Sequence, residues 1–488
     1  MNPPYAELLR VLAPEAALVL GALAVLGVDL AFTRRQSPEK RLTTASALGL
    51  VAVLAAFFLS LTATHSGATF GGVFASDPLT AATRGGVLVL AWLTLILSNG
   101  AARVRHPAEF VAIVLFATSG FTVMAAAQQL LVAFLALELA SLSLYVLAGF
   151  DKTRPESAEA ALKYFLFGGI SAAFLLFGFS LLFGLTGSIE FPAMARALAM
   201  MNLSPLLLVA LTMVLVGFGF KAAAAPFHLW APDAYQGAPT ASAALIASAS
   251  KLAGFTLFVR LLWQGVAPAS GSVATLAVTP GWLPVLAAMA ALSLLLGNIA
   301  ALAQTNVRRL LAYSAIAHSG ALLLGVIVAG PAGPGPLYYY AATYGVATVG
   351  IFGVIGVLER CGGCRQLTDL AGLHRRSPLL AGCLLVFVLS LAGIPPLAGF
   401  FGKFVVFAAA LRIGGLGGIA GWLAVLAILL SAVALYYYLV VLKQALVAPA
   451  AKNAERIAVP IESALALLLA AALLIGLGLF PSLLLSLF

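Results

Sequence analysis

A small set of ionisable side chains stands inside long apolar runs of this 488-residue sequence. An ionisable group at the centre of a membrane-spanning helix costs roughly 2.5–3.5 kcal/mol, so such groups indicate a path for ions or protons. Buried amines and carboxyls that change partners can bind and release protons near neutral pH. The residues concerned are Glu138, Lys163, Lys221, Lys251, His318 and Lys403.

Lys251 is the most informative of these residues because the sequence offers it no carboxylate. No Asp or Glu occurs between Asp233 and Glu359, and Lys251 stands within that gap. About 11 residues, or roughly 16 Å of helix, separate it from each end of its apolar run. A lysine side chain does not reach that far, so we predict that Lys251 handles protons rather than extending to the surface. Lys163 lies nearer the end of its run, and for it both interpretations stay open.

Glu138 is the one acid that stands at mid-span depth, in the run LVAFLALELASLSLYVL. A carboxylate there needs a cation, and we hypothesise that Lys221 supplies it. Such a pair would act as a charge switch. Lys221 stays charged while the pair is closed and tends to lose its proton when the pair opens.

The composition places these residues in a polytopic membrane protein. The chain is 63% hydrophobic and 9% charged, with a mean hydropathy of +1.10, whereas soluble domains are about 45–50% apolar and about 25% charged. This excludes a soluble domain, a disordered chain and a nucleic-acid binder, despite the net charge of +10. We predict an all-α fold of 14 transmembrane helices. The predicted spans are 12–32, 41–63, 80–99, 108–126, 128–149, 158–185, 204–236, 240–262, 281–303, 308–330, 336–359, 378–409, 417–446 and 459–483.

Basic residues between the spans predict the orientation, because Lys and Arg concentrate in cytoplasmic loops. Most of them follow odd-numbered spans, which places both termini on the outer, periplasmic side. The positive charge is therefore mainly topological and implies no acidic partner beyond lipid head groups. The loop residues are Arg34, Arg35, Lys40, Arg41, Arg103, Arg105, Lys152, Arg154, Arg308, Arg309, Arg360, Arg365, Arg375, Arg376, Lys443, Lys452 and Arg456.

Two predicted spans contain prolines near a lysine. The seventh, VGFGFKAAAAPFHLWAPDAYQGAPT, has Lys221 shortly before Pro226, and the twelfth, VLSLAGIPPLAGFFGKF, has Lys403 after Pro396. Proline removes a backbone donor and breaks a helix. Within the bilayer, backbone groups that lack helical hydrogen bonds are tolerated only where they face protein or a water-filled cavity. The two spans are therefore predicted to be broken at an ion path.

The positions of the two breaks suggest an internal repeat of five helices, inverted because five is odd. Glu138 would then correspond to His318, and Lys221 to Lys403. The predicted division is an N-terminal three-helix segment, a first repeat, a second repeat and a C-terminal helix, at residues 1–107, 108–262, 281–446 and 447–488.

The sequence offers no energy source or cofactor motif of its own. Gly402-Lys403 is followed by Phe404, so it is not a P-loop. Cys361-Gly-Gly-Cys364 is interpreted as a pair of reduced loop thiols, because a metal site would need a second pair or nearby histidines and His374 is the one candidate. No convincing flavin, haem or iron–sulfur motif is present. We therefore expect no cofactor on this chain.

Three segments resemble one family closely: KAAAAPFHLWAPDAYQGAPT, QTNVRRLLAYSAIAHSG and LSLAGIPPLAGFFGKF. They are similar to the antiporter-like membrane subunits of proton-pumping NADH:quinone oxidoreductase, respiratory complex I. The similarity runs over nearly the whole chain. It implies fourteen helices, two inverted five-helix units and broken seventh and twelfth helices. It also implies proton translocation, with FMN, iron–sulfur clusters and quinone in partner subunits and a location in the cell inner membrane.

The resemblance also implies roles for single residues. Glu138 and Lys221 match the family's glutamate–lysine pair, Lys163 its connecting lysine and Lys251 its central lysine. His228 and His318 match histidines of the polar axis. Lys403 matches the terminal lysine, where subunit M carries a glutamate, and this favours subunit N. Subunit L carries a C-terminal extension, and because this chain stops at Phe488 we expect it not to be subunit L.

Other functions are kept as alternatives. A subunit of a multi-subunit sodium/proton antiporter shares the fold and most of the charges. A solute transporter would need a pocket of mixed polar groups, and the spans offer lysines with little else. A purely structural scaffold does not explain an unpaired Lys251. The expected partners are the other membrane and peripheral subunits of complex I, the lipid bilayer and protons.

Overall fold

The computed structural model describes residues 5–62, 67–98, 105–274, 277–450 and 455–488. Arg103 and Lys452, two of the loop residues used to predict the orientation, lie outside these ranges. Fourteen helices in the described ranges are long and apolar enough to cross a membrane. This confirms the predicted all-α membrane fold and its number of spans.

The described helices are given in chain order. The N-terminal half contains α1 (Tyr5–Val11), α2 (Ala13–Val28), α3 (Pro38–Thr62), α4 (Pro78–Ser98), α5 (Pro107–Ala126), α6 (Leu130–Ala148), α7 (Pro155–Thr186), α8 (Phe191–Ala199), α9 (Pro205–Ala222), α10 (Trp230–Gly237), α11 (Thr240–Ala247) and α12 (Ala249–Arg260). The C-terminal half contains α13 (Trp282–Leu302), α14 (Val307–Ala332), α15 (Gly335–Arg360), α16 (Leu373–Arg376), α17 (Pro378–Ala392), α18 (Ala398–Gly414), α19 (Ile419–Leu446), α20 (Ile461–Leu479) and α21 (Ser482–Leu485).

The predicted spans map onto these helices in order. The first six are α2 to α7, the seventh is α9 with α10, and the eighth is α11 with α12. The ninth to eleventh are α13 to α15, the twelfth is α17 with α18, and the last two are α19 and α20. Two short antiparallel hairpins lie between spans, formed by β1 (Gly67–Thr69) with β2 (Phe74–Ser76) and by β3 (Ser272–Ala274) with β4 (Ala277–Thr279).

Helix starts follow the capping residues of the sequence. The Ser204 hydroxyl accepts a hydrogen bond from the Leu207 amide at the start of α9. The Asn306 side chain does the same for the first amides of α14. A proline at the first turn of several helices, such as Pro205 in α9, occupies a position whose amide has no partner in any case. Each cap satisfies backbone donors that the helix itself leaves open.

The eighth, tenth and eleventh spans form the centre of the bundle and are almost wholly buried. Glycines let the neighbouring helix α13 come very close to α14. A Cβ atom placed on Gly297 would lie 2.4 Å from the Ala317 nitrogen, and one on Gly320 would lie 2.8 Å from the Ala290 oxygen. Lys251, on the eighth span, and His318, on the tenth, therefore lie on helices that are almost wholly buried.

The seventh and twelfth spans are interrupted at their prolines. α9 ends at Ala222, and helical structure resumes only at Trp230 in α10. α17 ends at Ala392, and α18 begins at Ala398. In each case the residue after the helix adopts a left-handed conformation, so the last carbonyls turn away from a continuing helix.

The eighth span contains a further interruption, which the sequence did not predict. Ser248, with φ −116° and ψ −84°, separates α11 from α12, and a π-helical turn follows at Leu261–Gly265. Proline and glycine are the residues that signal a break, and neither stands at this point. Lys251 therefore lies on a short helical segment between two irregular turns.

The left-handed conformation of Ala223 gives a stability prediction. An L-residue pays about 1–2 kcal/mol in this region, whereas glycine does not, and Ala223 has φ 54°. We expect Ala223→Gly to leave the free energy of unfolding unchanged or raise it by up to about 1 kcal/mol. Ala224→Gly, at a position without positive φ, is the control and should lower it by roughly 0.5–1 kcal/mol. Thermal unfolding of the purified chain in detergent measures both. Equal destabilisation by the two changes would contradict the assignment.

Candidate functional site

Lys251 is buried at the centre of the bundle and binds only neutral groups. Its Nζ donates to the Ala315 carbonyl and to the Ser319 hydroxyl, both at 2.6 Å and both on α14. The Tyr344 ring of α15 lies 5.3 Å from the same atom. No ion pair among the described residues includes Lys251. The amine therefore has acceptors for its protons and no carboxylate to hold its charge permanently.

Ser319 connects Lys251 to the break in the seventh span. Its hydroxyl lies 2.5 Å from the carbonyl of Ala222, the last residue of α9. Lys221 precedes that residue, and its Cγ lies 3.4 Å from the position of a Cβ on Gly254. Gly254 is one turn beyond Lys251 on α12, so both lysines meet at the same junction of α9, α12 and α14.

The predicted ion pair between Glu138 and Lys221 is not formed in this structure. Lys221 Nζ instead donates to the hydroxyl of Ser141 at 3.1 Å and lies 5.9 Å from the Phe121 ring. Ser141 is one turn after Glu138 on α6, so a neutral hydroxyl of the same helix takes the position expected for the carboxylate. One oxygen of Glu138 is buried without a partner. This arrangement corresponds to the open state of the hypothesised switch.

His318 uses both ring nitrogens in hydrogen bonds to tyrosines. Nδ1 lies 2.6 Å from the Tyr340 hydroxyl, and Nε2 lies 3.0 Å from the Tyr438 hydroxyl. The Ser314 hydroxyl lies 2.5 Å from the Tyr438 hydroxyl and so extends this hydrogen-bonded group. A histidine with a hydroxyl on each nitrogen can take a proton on one side and give one up on the other.

Lys403 lies at the second break and faces a small cavity. Its Nζ donates to the carbonyl of Ala392, the last residue of α17, at 2.9 Å. The cavity measures about 20 Å³, and its lining includes Lys403, His318, Tyr340 and Asn298. That volume holds about one water molecule. His318 and Lys403, which the sequence placed on one axis, therefore border the same polar space.

Lys163 lies away from this group, in an ion cluster near the end of its span. Its Nζ is 2.6 Å from both Glu159 and Asp233, and its side chain is 39% exposed. Asp233 also binds Arg309 at 2.6 Å. Because Asp233 lies on α10, the cluster ties this half-helix to α7 and α14. Of the two interpretations left open for Lys163, the structure favours the ion-paired residue near the surface.

His228 lies in the break of the seventh span, between α9 and α10. Its side chain is half-buried, and Nδ1 has no hydrogen-bond partner. No hydrogen bond among the described residues joins it to Lys221, Lys251 or His318. The structure thus does not bring His228 together with the other predicted residues.

Sequence reasoning missed the neutral hydroxyls that connect the charged groups. Ser141, Ser319 and the tyrosines bonded to His318 were not singled out, because that reasoning ranked residues by the cost of burying charge. Helical spacing was the available signal: Ser141 stands three residues after Glu138, on the same face of α6. A search for Ser and Tyr one turn from each buried charge would have found it.

Buried arginines close both ends of the eighth span. Arg260 forms two hydrogen bonds to Asp77, at 2.8 and 2.5 Å. Burial acts to raise the pKa of Asp77, but the hydrogen bonds and charge of Arg260 outweigh it and hold that pKa below its usual range. At the other end Arg308 binds Glu359 at 2.5 Å and the carbonyl of Ala238 at 2.8 Å. Partnered charges at both ends fix the helix that carries Lys251.

The cysteines are free thiols, as interpreted from the sequence. Cys361 is exposed, whereas burial raises the pKa of the Cys364 thiol to about 12. A thiol that stays protonated is a poor nucleophile and a poor metal ligand. Within the described ranges, no group of three or more His, Cys, Asp or Glu side chains is placed to hold a metal ion.

The shared carboxylate of Asp233 gives a second stability prediction. Asp233→Asn keeps the size of the side chain but removes the charge that holds Lys163 and Arg309. We expect the free energy of unfolding to fall by about 1–3 kcal/mol, the usual range for a hydrogen bond to a charged group. The control is Glu39→Gln, at an exposed position, which should change it by less than about 0.5 kcal/mol. If thermal unfolding in detergent shows equal effects, the cluster does not hold α10.

Comparisons with known proteins show which family the chain resembles. Residues 127–433 match the family described as "NADH:quinone oxidoreductase/Mrp antiporter, TM". The curated NADH-quinone oxidoreductase subunit N 2 of Acidobacterium capsulatum is 50% identical over 495 residues, with 99% of each chain covered. The match to this relative extends from the first span to the last.

Two solved structures share the fold. A chain of respiratory complex I from Thermus thermophilus, solved with bound aureothin, has a TM-score of 0.80 and 35% identity, with 97% of this chain and 98% of that chain covered. A chain of the Mrp complex from Dietzia has a TM-score of 0.81 but only 22% identity, with 98% and 96% covered. The second likeness concerns the fold alone. The chain therefore belongs to the antiporter-like membrane subunits of NADH:quinone oxidoreductase, in the group named subunit N.

Proposed function

We propose that this chain translocates protons across the membrane as a subunit of NADH:quinone oxidoreductase. The observation that carries the proposal is the setting of Lys251, a buried amine that holds only neutral acceptors and is joined through Ser319 to a broken helix. When such an amine loses its proton, no carboxylate is left uncompensated. It can therefore be charged and discharged in turn.

The axis is the proposed proton path through Glu138, Lys221, Lys251, His318 and Lys403. In its first half, Lys221 and Glu138 control the charge on Lys251. Lys251 receives a proton from the cytoplasmic side. A closed Glu138–Lys221 pair shields Lys251 from the charge of Lys221 and favours a proton there. When the pair opens, as in the hydrogen bond of Lys221 to Ser141, Lys221 loses the screening carboxylate. Until Lys221 gives up its own proton, its charge repels the proton on Lys251 and drives it onward.

In the second half of the axis, His318 and Lys403 take the proton on. The tyrosines on both nitrogens of His318 let it receive on one side and release on the other. A water in the cavity that both residues border would complete the path to Lys403. Lys403 then passes the proton outward or signals its charge to the neighbouring subunit.

Lys163 and His228 complete the proposed set with different roles. Lys163 acts on the axis through Asp233 and the half-helix α10 rather than by carrying protons. His228 lies in the break itself, and its Nδ1 has no hydrogen-bond partner. This nitrogen can bind a water molecule that also hydrogen-bonds to backbone groups of the break.

The energy comes from redox chemistry in partner subunits. Moving one charge against 100 mV costs about 2.3 kcal/mol. We propose that FMN, iron–sulfur clusters and quinone in partner subunits supply it, so that this chain needs no redox centre of its own. We propose that both termini lie on the outer side of the cell inner membrane, and the positions of the basic loops support this orientation.

We also propose the inverted repeat of residues 108–262 and 281–446. Ala223 and Gly393 are both left-handed, and each stands three residues before a proline. In this register Ala222 is equivalent to Ala392. The Ala222 carbonyl accepts a hydrogen bond from Ser319, and the Ala392 carbonyl accepts one from Lys403. Lys221 and Lys403 then correspond by element but not by position, since one precedes its break and the other follows it.

The sodium/proton antiporter alternative is disfavoured by the comparisons. The relatives with high identity bear the name subunit N, as does the NADH-quinone oxidoreductase chain of Desulfovibrio desulfuricans at 40% identity over 499 residues. The likeness to the Mrp complex falls to 22% identity. Sodium transport by this chain is therefore not part of the proposal.

The charge switch predicts the behaviour of two variants. Lys221→Ala or Glu138→Ala should strongly lower the number of protons pumped per NADH oxidised, because Lys251 no longer senses a changing charge. The complex should still assemble, because neither side chain holds a direct ion pair here. Inside-out membrane vesicles with a pH-sensitive dye measure pumping, and NADH oxidation is followed in the same vesicles. Normal pumping in both variants would end the charge-switch hypothesis.

A further inference from the structure

The hydroxyl of Ser141 holds Lys221 in a defined position while the pair with Glu138 is open. Lys221 Nζ donates to this hydroxyl at 3.1 Å, and both side chains are buried. An ammonium group can only donate hydrogen bonds, so Ser141 must offer it an oxygen lone pair. A buried ammonium without an acceptor would be costly. The open state therefore has an acceptor of its own.

Two buried serines of α6 use their hydroxyls differently. Ser143 donates to the Leu139 carbonyl at 2.8 Å, the bond to the preceding turn that serines in helices often form. Among the described residues, Ser141 forms no such bond to its own helix, and its recorded partner is Lys221 on α9. The hydroxyl hydrogen of Ser141 is therefore available to another side chain.

Tyr145 supports Ser141 from one turn farther along α6. It stands four residues after Ser141, so both side chains lie on the same face of the helix, and they interact with each other. The Tyr145 ring is buried and packs edge-on against Tyr164 of α7, with centroids 4.7 Å apart. The fixed phenol oxygen can accept the Ser141 hydrogen, which turns the serine lone pairs toward Lys221.

A glycine of α7 makes room for the Tyr145 hydroxyl. A Cβ atom on Gly168 would lie 1.9 Å from the Tyr145 hydroxyl oxygen and 2.5 Å from the ring carbon that bears it. Gly169, the next residue, has nothing within 4 Å of an added Cβ. Of these adjacent glycines, Gly168 is the one that the position of Tyr145 requires.

We propose that Ser141 is a positioning residue that forms the open state of the Glu138–Lys221 switch. Tyr145 and Gly168 hold it in place. Ser141 and Glu138 are three residues apart, or about 4.5 Å along α6, so the Lys221 amine changes partner by moving about one turn. It stays an ammonium during this movement, and no proton is transferred. The inference rests on the proposed function and names how its switch is regulated.

A neutral acceptor gives the open state its effect on Lys251. In the closed state the Glu138 carboxylate screens the charge of Lys221, whereas Ser141 holds the ammonium without adding a negative charge. The charge of Lys221 then acts on Lys251 unscreened. Without Ser141, Glu138 is the acceptor that remains for Lys221 on this face of α6, so the pair stays closed and the proton on Lys251 is not driven onward.

Removing the hydroxyl tests this role in the whole complex. Ser141→Ala should pump several-fold fewer protons per NADH oxidised, whereas Ser141→Thr keeps the hydroxyl and should restore pumping. Ser143→Ala is the control on the same helix and should pump normally. A packing role would instead make the larger threonine worse than alanine. Normal pumping by Ser141→Ala, or equal losses in Ser141→Ala and Ser141→Thr, would overturn the proposal.

The adjacent glycines test the support of Ser141, even if Ser141→Ala fails to assemble. Gly168→Ala displaces the Tyr145 hydroxyl, so pumping per NADH oxidised should fall several-fold, whereas Gly169→Ala leaves it in place and should pump normally. Both changes raise helix propensity alike, so the comparison removes that effect. Tyr145→Phe removes the hydroxyl alone and should lower pumping as Gly168→Ala does. Equal pumping by the two glycine variants would show that Tyr145 does not hold Ser141.

A cryo-EM map of the complex carrying Ser141→Ala gives the direct structural test. The proposal predicts a closed pair, with Lys221 Nζ at about 2.8 Å from an oxygen of Glu138. A map in which the amine stays beside position 141, away from the carboxylate, would contradict it. The map of Ser143→Ala should show the same open pair as the unchanged chain.

The outcomes separate this inference from the proposed function. If Lys221→Ala and Glu138→Ala lower pumping while Ser141→Ala pumps normally, only the role of Ser141 is wrong. If pumping is normal in Lys221→Ala and Glu138→Ala, the charge switch itself fails, whatever the serine variants show.

Discussion

The structure depends on giving a lysine amine at the centre of an apolar bundle hydrogen-bond acceptors but no carboxylate. A permanent partner would hold the proton on Lys251, and an absence of acceptors would make its charge too costly. The Ala315 carbonyl and the Ser319 hydroxyl meet this constraint with neutral groups. The placement of α12 between α9, α14 and α15 follows from it, because those helices supply the acceptors and the aromatic wall.

The broken helices also supply neutral acceptors, in the form of backbone carbonyls that have no partner within their own helix. A continuous helix hides its carbonyls in its own hydrogen bonds, whereas α9 and α17 end in mid-bundle and leave their last ones available. The Ala222 carbonyl binds Ser319, and the Ala392 carbonyl binds Lys403. The prolines that break these spans thus place acceptors where a proton path needs them, and α10 is held in position from the other side by the Asp233 cluster.

The charged members of the site could be predicted from the sequence because burying a charge has a large and uniform cost. The fourteen spans followed from hydropathy for the same reason. The hydroxyls could not be predicted, since serine and tyrosine are common in helices and burying them costs little when bonded. The Glu138–Lys221 pair is not closed in this structure, where Lys221 donates to Ser141, and the charge switch stays a prediction. The break at Ser248 had no proline or glycine to signal it.

The central claim is that Lys251 is charged and discharged during turnover. The most direct measurement is proton pumping per NADH oxidised by the complex carrying Lys251→Met, which keeps an unbranched side chain only one atom shorter but cannot bind a proton. The control is Lys443→Met, at an exposed position of α19. The account predicts that pumping by the chain is lost in Lys251→Met and unchanged in the control. Pumping at the normal ratio in Lys251→Met would contradict it.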